Sequence, residues 1–238
     1  YYRAKRNLLK HATEKTIFVY NPAIPLLKKL ALTTRAKTVP FVEQLPFDAS
    51  IIPLIGQHNL TNVRGAVAVA ELLHIPLQCI IEGVQKTTGL PHRLEKVGTF
   101  HDITFYDDAI ATSPESTTEA IKTLKNIGTI FLGGKNRGYR FEKLAKLIKR
   151  YKIPNIVYFP ENDADIRKAF EQAGYNPTHT LQTKSMKEAV AFAYQYTPKN
   201  TICLLSTASP SQPNWKNFIE QGEDFARWAR ELGGGTTH

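Results

Sequence analysis

Apolar positions in the second half of the chain follow two alternating patterns. Short continuous runs, Ile103 to Tyr106, Thr129 to Leu132, Ile156 to Phe159 and Thr201 to Leu205, are too brief for helices. Runs of this kind suit strands buried on both faces. Between them lie segments with helical spacing: Phe141 to Tyr151, Ala164 to Ala173 and Met186 to Tyr196, with a closing stretch from Trp215 to Leu232 before Gly233-Gly234-Gly235. In the first of these, Leu144, Leu147 and Ile148 share one face and lysines the other. Pro114-Glu115-Ser116 opens a further helix, with Pro in its first turn and Glu near the positive end. Strands separated by helix-length segments predict an α/β fold with a mostly parallel sheet. Such sheets bind ligands beyond the carboxyl ends of their strands. That rule directs attention to the loops after Tyr106, Leu132 and Leu205.

The first half is less regular. Thr16 to Tyr20 reads as a strand, Leu60 to Leu73 as an Ala/Val-rich helix and Ile80 to Thr87 as a short one. Residues 31 to 55 are β-prone without clear period. The turn-rich Gly89-Leu90-Pro91-His92-Arg93 separates the halves and puts a boundary between residues 1–96 and 97–238. No internal repeat or low-complexity segment is present.

Composition adds limits. The 238 residues are 42% hydrophobic and 22% charged, which describes a soluble globular protein. No apolar run approaches the roughly 20 residues of a membrane helix, and no amino-terminal stretch has signal-peptide order. Two cysteines, Cys79 and Cys203, make neither a disulfide framework nor a CxxC metal site, which predicts a reducing cytoplasm. The chain starts at Tyr1 and its sole methionine is Met186, so it reads as a piece of a longer product. A net charge of +10 favours an anionic partner without naming it.

Several clusters carry chemistry. Asn59 and Asn62 stand three apart in Gly56-Gln57-His58-Asn59-Leu60-Thr61-Asn62, ahead of the Ala/Val helix. Two readings stay open: their amides read a purine edge, or one caps the helix while the other is solvated. Arg93 offers a phosphate fork or pairs with Glu95. Asp107-Asp108 ends a strand, placed for ribose or magnesium, or else is a solvated helix entry, with Thr112 and the next helix start as an anion site. Gly133-Gly134-Lys135-Asn136-Arg137-Gly138 turns after a strand and would aim Lys135 and Arg137 into the crevice of Asp108. It is not a P-loop, because Gly134 stands where Lys is required and Thr129 to Leu132 must be sheet. Hydroxyls in Ser206-Thr207-Ala208-Ser209-Pro210-Ser211 could hold a carboxylate, and Trp215 and Phe218 read as core. No nucleophilic triad and no HExxH-type metal site is present.

Taken in order, GQHNLTN, GLPHR, a strand ending DD–AT, LGG and LLS resemble the Mur ligases, nearest to the branch that adds glutamate to UDP-N-acetylmuramoyl-L-alanine. The similarity runs from Tyr1 to about Gly233. It implies that residues 1–96 are the carboxyl-terminal portion of the family's central ATP-binding domain. Residues 97–238 would then be its Rossmann-like, amino-acid-binding carboxyl-terminal domain. The implied chemistry is amide synthesis in peptidoglycan assembly, with ATP and Mg2+: the nucleotide-linked carboxylate is phosphorylated and the acyl phosphate is attacked by the amino acid's amine. Partners implied are UDP-N-acetylmuramoyl-L-alanine and glutamate, with no nucleic acid, no membrane and a monomeric state, in the cytoplasm. Carried over by position, Lys5 is the carbamylated magnesium-holding lysine, Asn59 and Asn62 lie near adenine, Arg93 meets ATP phosphate and Asp108 meets ribose. Thr112, Arg137, Ser211 and Phe218 surround the incoming glutamate.

Three positions depart from the family pattern. Ile110 replaces an active-site Lys, Arg137 replaces a glutamate-holding Lys, and Pro210 enters the loop before Ser211. These changes leave the amino acid's identity and handedness open, and admit a catalytically silent homologue acting as a binding protein. A basic nucleic-acid-binding module is a further alternative; it lacks the aromatic-interleaved stripes such readers use.

Overall fold

The computed structural model describes residues 2–234, with the side chains of Tyr2 and Arg3 outside the described set. Tyr1 of the Tyr1–Lys5 motif and Gly235 of the closing glycines also lie outside it. The chain divides into two compact units between Thr88 and Gly89, eight residues ahead of the 96/97 division expected from sequence. The strand Glu95–Phe100, which that division would cut, pairs along its length with the next strand and lies in the second unit.

The first unit contains α1 (Tyr2–Lys10), β1 (Ile17–Tyr20), α2 (Pro25–Ala31), β2 (Lys37–Pro40), a 3-10 turn at Ala49–Ile51, α3 (Gln57–Leu72) and α4 (Leu77–Gln85). β1 and β2 pair in parallel from Ile17↔Lys37 to Tyr20↔Pro40, with α2 in the connection between them. The aperiodic region from 31 to 55 therefore holds one short strand. Val63, Val67 and Ile80 bury α3 against α4, with Phe47, Ile52 and Val84 packed on them. The cap of α3 is Gly56, at φ 96° and without a side-chain bond, so neither Asn59 nor Asn62 caps the helix.

The second unit is a six-stranded sheet: β3 (Glu95–Phe100), β4 (Ile103–Asp107), β5 (Ile127–Gly133), β6 (Asn155–Phe159), β7 (His179–Gln182) and β8 (Thr201–Leu205). Its order is β3-β4-β8-β5-β6-β7, parallel throughout except that β3 runs antiparallel to β4. Alternation of side chains across the sheet splits the core in two. Ile130, Leu132, Ile156, Tyr158 and Leu204 face α5 (Pro114–Leu124), α6 (Glu142–Tyr151) and α7 (Asp163–Gln172). Phe105, Phe131, Val157, Phe159, Cys203 and Leu205 face α8 (Met186–Tyr196) and α9 (Phe218–Leu232). Every residue of β5 and β6 is buried, which is why those segments read as continuous apolar runs. α9 starts at Phe218, three residues later than its sequence pattern; Trp215 precedes it, buried, with its indole N–H on Asp224 at 3.1 Å.

Because β8 is inserted between β4 and β5, the chain leaves β5 toward one face and β8 toward the other. Helices diverge from neighbouring strand ends at that point, which is where open α/β sheets form their binding crevice. It puts Asp107-Asp108, Gly133-Gly134 and Ser206–Ser211 along one edge.

Candidate active site

The three strand ends are stitched together by backbone. The Asp108 amide donates to Leu205 O at 2.8 Å, and the Gly133 amide to Thr207 O at 2.9 Å. Gly133 sits at φ 113°, and a Cβ there would collide with the Phe159 carbonyl oxygen. Close passage of two backbones at positive φ is what the first glycine of this turn supplies.

Asp108 is 2% exposed, not solvated. Its Oδ2 accepts from Ser206 Oγ at 2.8 Å and its Oδ1 from the Leu94 amide at 3.3 Å. Ser206 Oγ also lies 2.9 Å from Thr117 Oγ1, which donates to Ser206 O. Burial pushes the Asp108 carboxyl up to about 7, against the pull of the Ser206 hydroxyl, the Arg93 guanidinium and the Leu94 amide. Arg93, half-buried, is near enough for its charge to be felt by Asp108 but makes no ion pair with it; what binds its turn to Asp108 is the Leu94 amide. Glu95 does not pair with Arg93; it accepts the His92 amide at 2.8 Å.

Asp107 is equally buried, and its carboxyl is raised by that burial while the His92 hydrogen bond opposes the rise. His92 Nδ1 lies 2.7 Å from Asp107 Oδ2, and the Ala109 amide donates to Oδ1 at 2.9 Å. The Ile110 amide donates to His92 O at 3.2 Å. Residues 92–94 are therefore pinned to the end of β4 on both sides of Arg93. Sequence reasoning noted His92 only as part of a turn and Ser206 only among the loop hydroxyls offered to a carboxylate, and it did not single out Thr117 or Gly222. The α9 backbone at Gly222 lies so close to the His92–Asp107 pair that a Cβ would overlap both. A glycine on the apolar face of α9, three residues before buried Phe225, was the available signal.

The other expected residues distribute as follows. Thr112 is half-buried just ahead of α5, whose cap is Ser113. Arg137 is exposed. Lys135 is exposed too and reaches Gln212 Oε1 at 3.5 Å; neither side chain bonds Asp108, which corrects the expected shared crevice. Ser211 is buried, and the Phe218 ring stands edge-on to His92 with centroids 6.0 Å apart. Lys135, Glu161, Gln212, Trp215, Lys216 and Glu220 line a depression of about 520 Å³ beside them. The Thr207 and Ser209 hydroxyls are spent internally, on Ser209 O and the Asn162 amide, so they are not open to a carboxylate.

In the first unit, Asn59 Nδ2 donates to Ile55 O at 2.8 Å and Asn62 Nδ2 to Asn59 Oδ1 at 3.5 Å. Asn62 lines a groove of about 460 Å³ whose walls are Val63, Val67, Ile75, Ile80 and Val84. Lys5 lies exposed on α1. Among the described residues the one group of three His, Cys, Asp or Glu side chains spaced for a metal is His92, Glu95 and Asp107, in the second unit. No helix among them is long and apolar enough to cross a membrane.

Residues 92–209 match the family described as Mur ligase, glutamate ligase domain. The UDP-N-acetylmuramoylalanine–D-glutamate ligase of Latilactobacillus sakei is 30% identical over 244 residues, covering 94% of this chain and 53% of that protein. The corresponding Oenococcus oeni protein is 28% identical, covering 98% and 57%. The chain spans about half the length of the curated relatives it matches. Among solved structures, the MurF ligase of Thermotoga maritima in complex with ADP aligns with TM-score 0.69 at 14% identity, over 97% of this chain and 58% of that one. A Mycobacterium tuberculosis folylpolyglutamate synthase aligns with TM-score 0.60 at 15% identity, over 93% and 56%.

Proposed function

The chain belongs to the Mur ligase family, and from that premise we propose that it is part of an ATP-dependent ligase joining glutamate to UDP-N-acetylmuramoyl-L-alanine. The observation that carries the reading is the pinning of the Arg93 turn to Asp107 and Asp108, through His92 and the Leu94 amide, at the strand-order switch of the matched region. Relatives named as D-glutamate ligases support glutamate as the acceptor.

Forming an acyl phosphate needs charge neutralisation and in-line positioning and no protein nucleophile. Arg93 supplies a planar cation for a phosphate oxygen, held on either side by His92 and Leu94. Asp108 keeps one lone pair on each oxygen for a ribose hydroxyl. At 2% exposure it also anchors the Arg93 turn through the Leu94 amide. The groove beside Asn62 is apolar with an amide at its rim, which suits a flat heterocycle such as adenine. Asn59 braces that amide. Arg137 would meet an acceptor carboxylate, while Thr112, Ser211 and the Phe218 start of α9 would position the rest of the glutamate.

Magnesium is the family's counter-ion for ATP. A carbamate on Lys5, which lies exposed on α1, would offer that ion a hard oxygen ligand. Ile110, in place of a cation, favours a second reading in which the protein binds nucleotide and precursor without turnover.

The test is phosphate release by the complete translated product that contains residues 1–238, with ATP, UDP-N-acetylmuramoyl-L-alanine and each glutamate enantiomer. Release that depends on D-glutamate supports ligation. Nucleotide binding without release supports the silent homologue.

A further inference from the structure

One loop and the helix after it carry a dense share of the chain's positive charge. Residues 135 to 152 hold eight Lys and Arg against the single Glu142, which leaves +7 of the chain's +10 within one loop and one helix. All eight side chains are exposed, and among the described residues none pairs with a carboxylate. At 3.6 residues per turn, Lys143, Lys146 and Arg150 fall within an arc of about 60° on α6. Leu144, Ala145 and Ile148, on the opposite side, are buried in the core. The stripe therefore points straight away from the sheet. Lys149 and Lys152 extend it at the helix's carboxyl end, where cations also complement the dipole.

We propose that this face of α6 is a docking surface for anionic phospholipid headgroups. The stripe is convex, so it does not enclose a small phosphorylated metabolite. Tyr139 and Tyr151, the aromatics beside it, are half-buried against the core and offer no platform for stacking bases. The cations are not braced by carboxylates into a fixed geometry, which suits a fluid, laterally adjustable array of negative charges better than a shaped protein epitope. A cluster of four to eight Lys or Arg is the pattern that adsorbs to anionic bilayers. The exposed face of α6 carries no large apolar side chain, so the contact is adsorption without insertion.

The experiment is co-sedimentation of the 238-residue chain with vesicles of phosphatidylcholine alone, or with about one-third phosphatidylglycerol, at about 0.05 M and 0.5 M salt. Binding is expected only to the anionic vesicles and only at low salt. The combined variant Lys143→Glu, Lys146→Glu and Arg150→Glu should bind at least about 100-fold more weakly, at roughly fivefold for each cation lost. The triple Gln variant, with its melting temperature checked against wild type, guards against misfolding. No sedimentation of the wild type with anionic vesicles, or binding by both variants equal to that of the wild type, overturns the proposal. So does preference for duplex DNA over vesicles through the same side chains, which would make the surface a nucleic-acid one.

Discussion

His92 Nδ1 stands 2.7 Å from Asp107 Oδ2, and the α9 backbone at Gly222 closes over the pair. This contact ties the turn that carries Arg93 to the end of β4 and to the last helix of the domain. It makes the site's geometry depend on a residue with no side chain.

Gly222→Ala should therefore separate His92 from Asp107. A Cβ at 222 overlaps both, and neither partner is the free end of a long side chain. Forcing extra volume into packed surroundings costs about 1–3 kcal/mol. A lower urea midpoint with unchanged slope is expected; an unchanged midpoint would show that the helix does not press on the pair.

Asp108 makes stability depend on pH in a definite sense. Its carboxyl rises from 3.8 to about 7 on folding, so between those values the folded chain holds a proton that the unfolded chain has released. Stability from this group is present below pH 4 and is lost as pH rises through 7. Asp107, also raised by burial, acts in the same direction. Asp108→Asn removes the titration, so its stability relative to wild type should improve by on the order of 4 kcal/mol from pH 4 to 8. Chemical denaturation across that range checks it; a constant difference would mean that Asp108 does not hold its proton in the fold.

The two thiols should behave differently. Cys79 is exposed, whereas Cys203 lies in β8 with no exposed surface and its thiol is pushed up by burial. Thiolate is the reactive form. A disulfide reagent should label one thiol per native chain and two after unfolding; two fast native equivalents would contradict the burial of β8.

Much of the second unit is legible because buried parallel strands have no polar face. Thr201–Leu205 and Met186–Tyr196 match their sequence patterns end to end. β3 and β7 are edge strands with exposed positions, and His179–Gln182 has no apolar period to reveal it. The short, part-exposed β2 was hidden for the same reason. Arg93 and Asp108 stand out by motif, but the burial of Asp108 does not. It depends on β8 lying next to β4, a pairing between residues about a hundred positions apart that brings Ser206 onto its carboxylate. A cap is one open reading of either asparagine because polar amides favour that place; Gly56 takes it, at a φ that other residues adopt at a cost.

The central claim is that Arg93, on a turn pinned to Asp107 and Asp108, serves an ATP-dependent glutamate ligation. The measurement is D-glutamate-dependent phosphate release by the complete product, wild type and Arg93→Ala, with nucleotide-linked substrate saturating. The account predicts turnover in the wild type and a loss on the order of 100-fold or more in the variant, at unchanged melting temperature. Wild-type turnover that survives Arg93→Ala intact, or no turnover with either glutamate enantiomer, would contradict it.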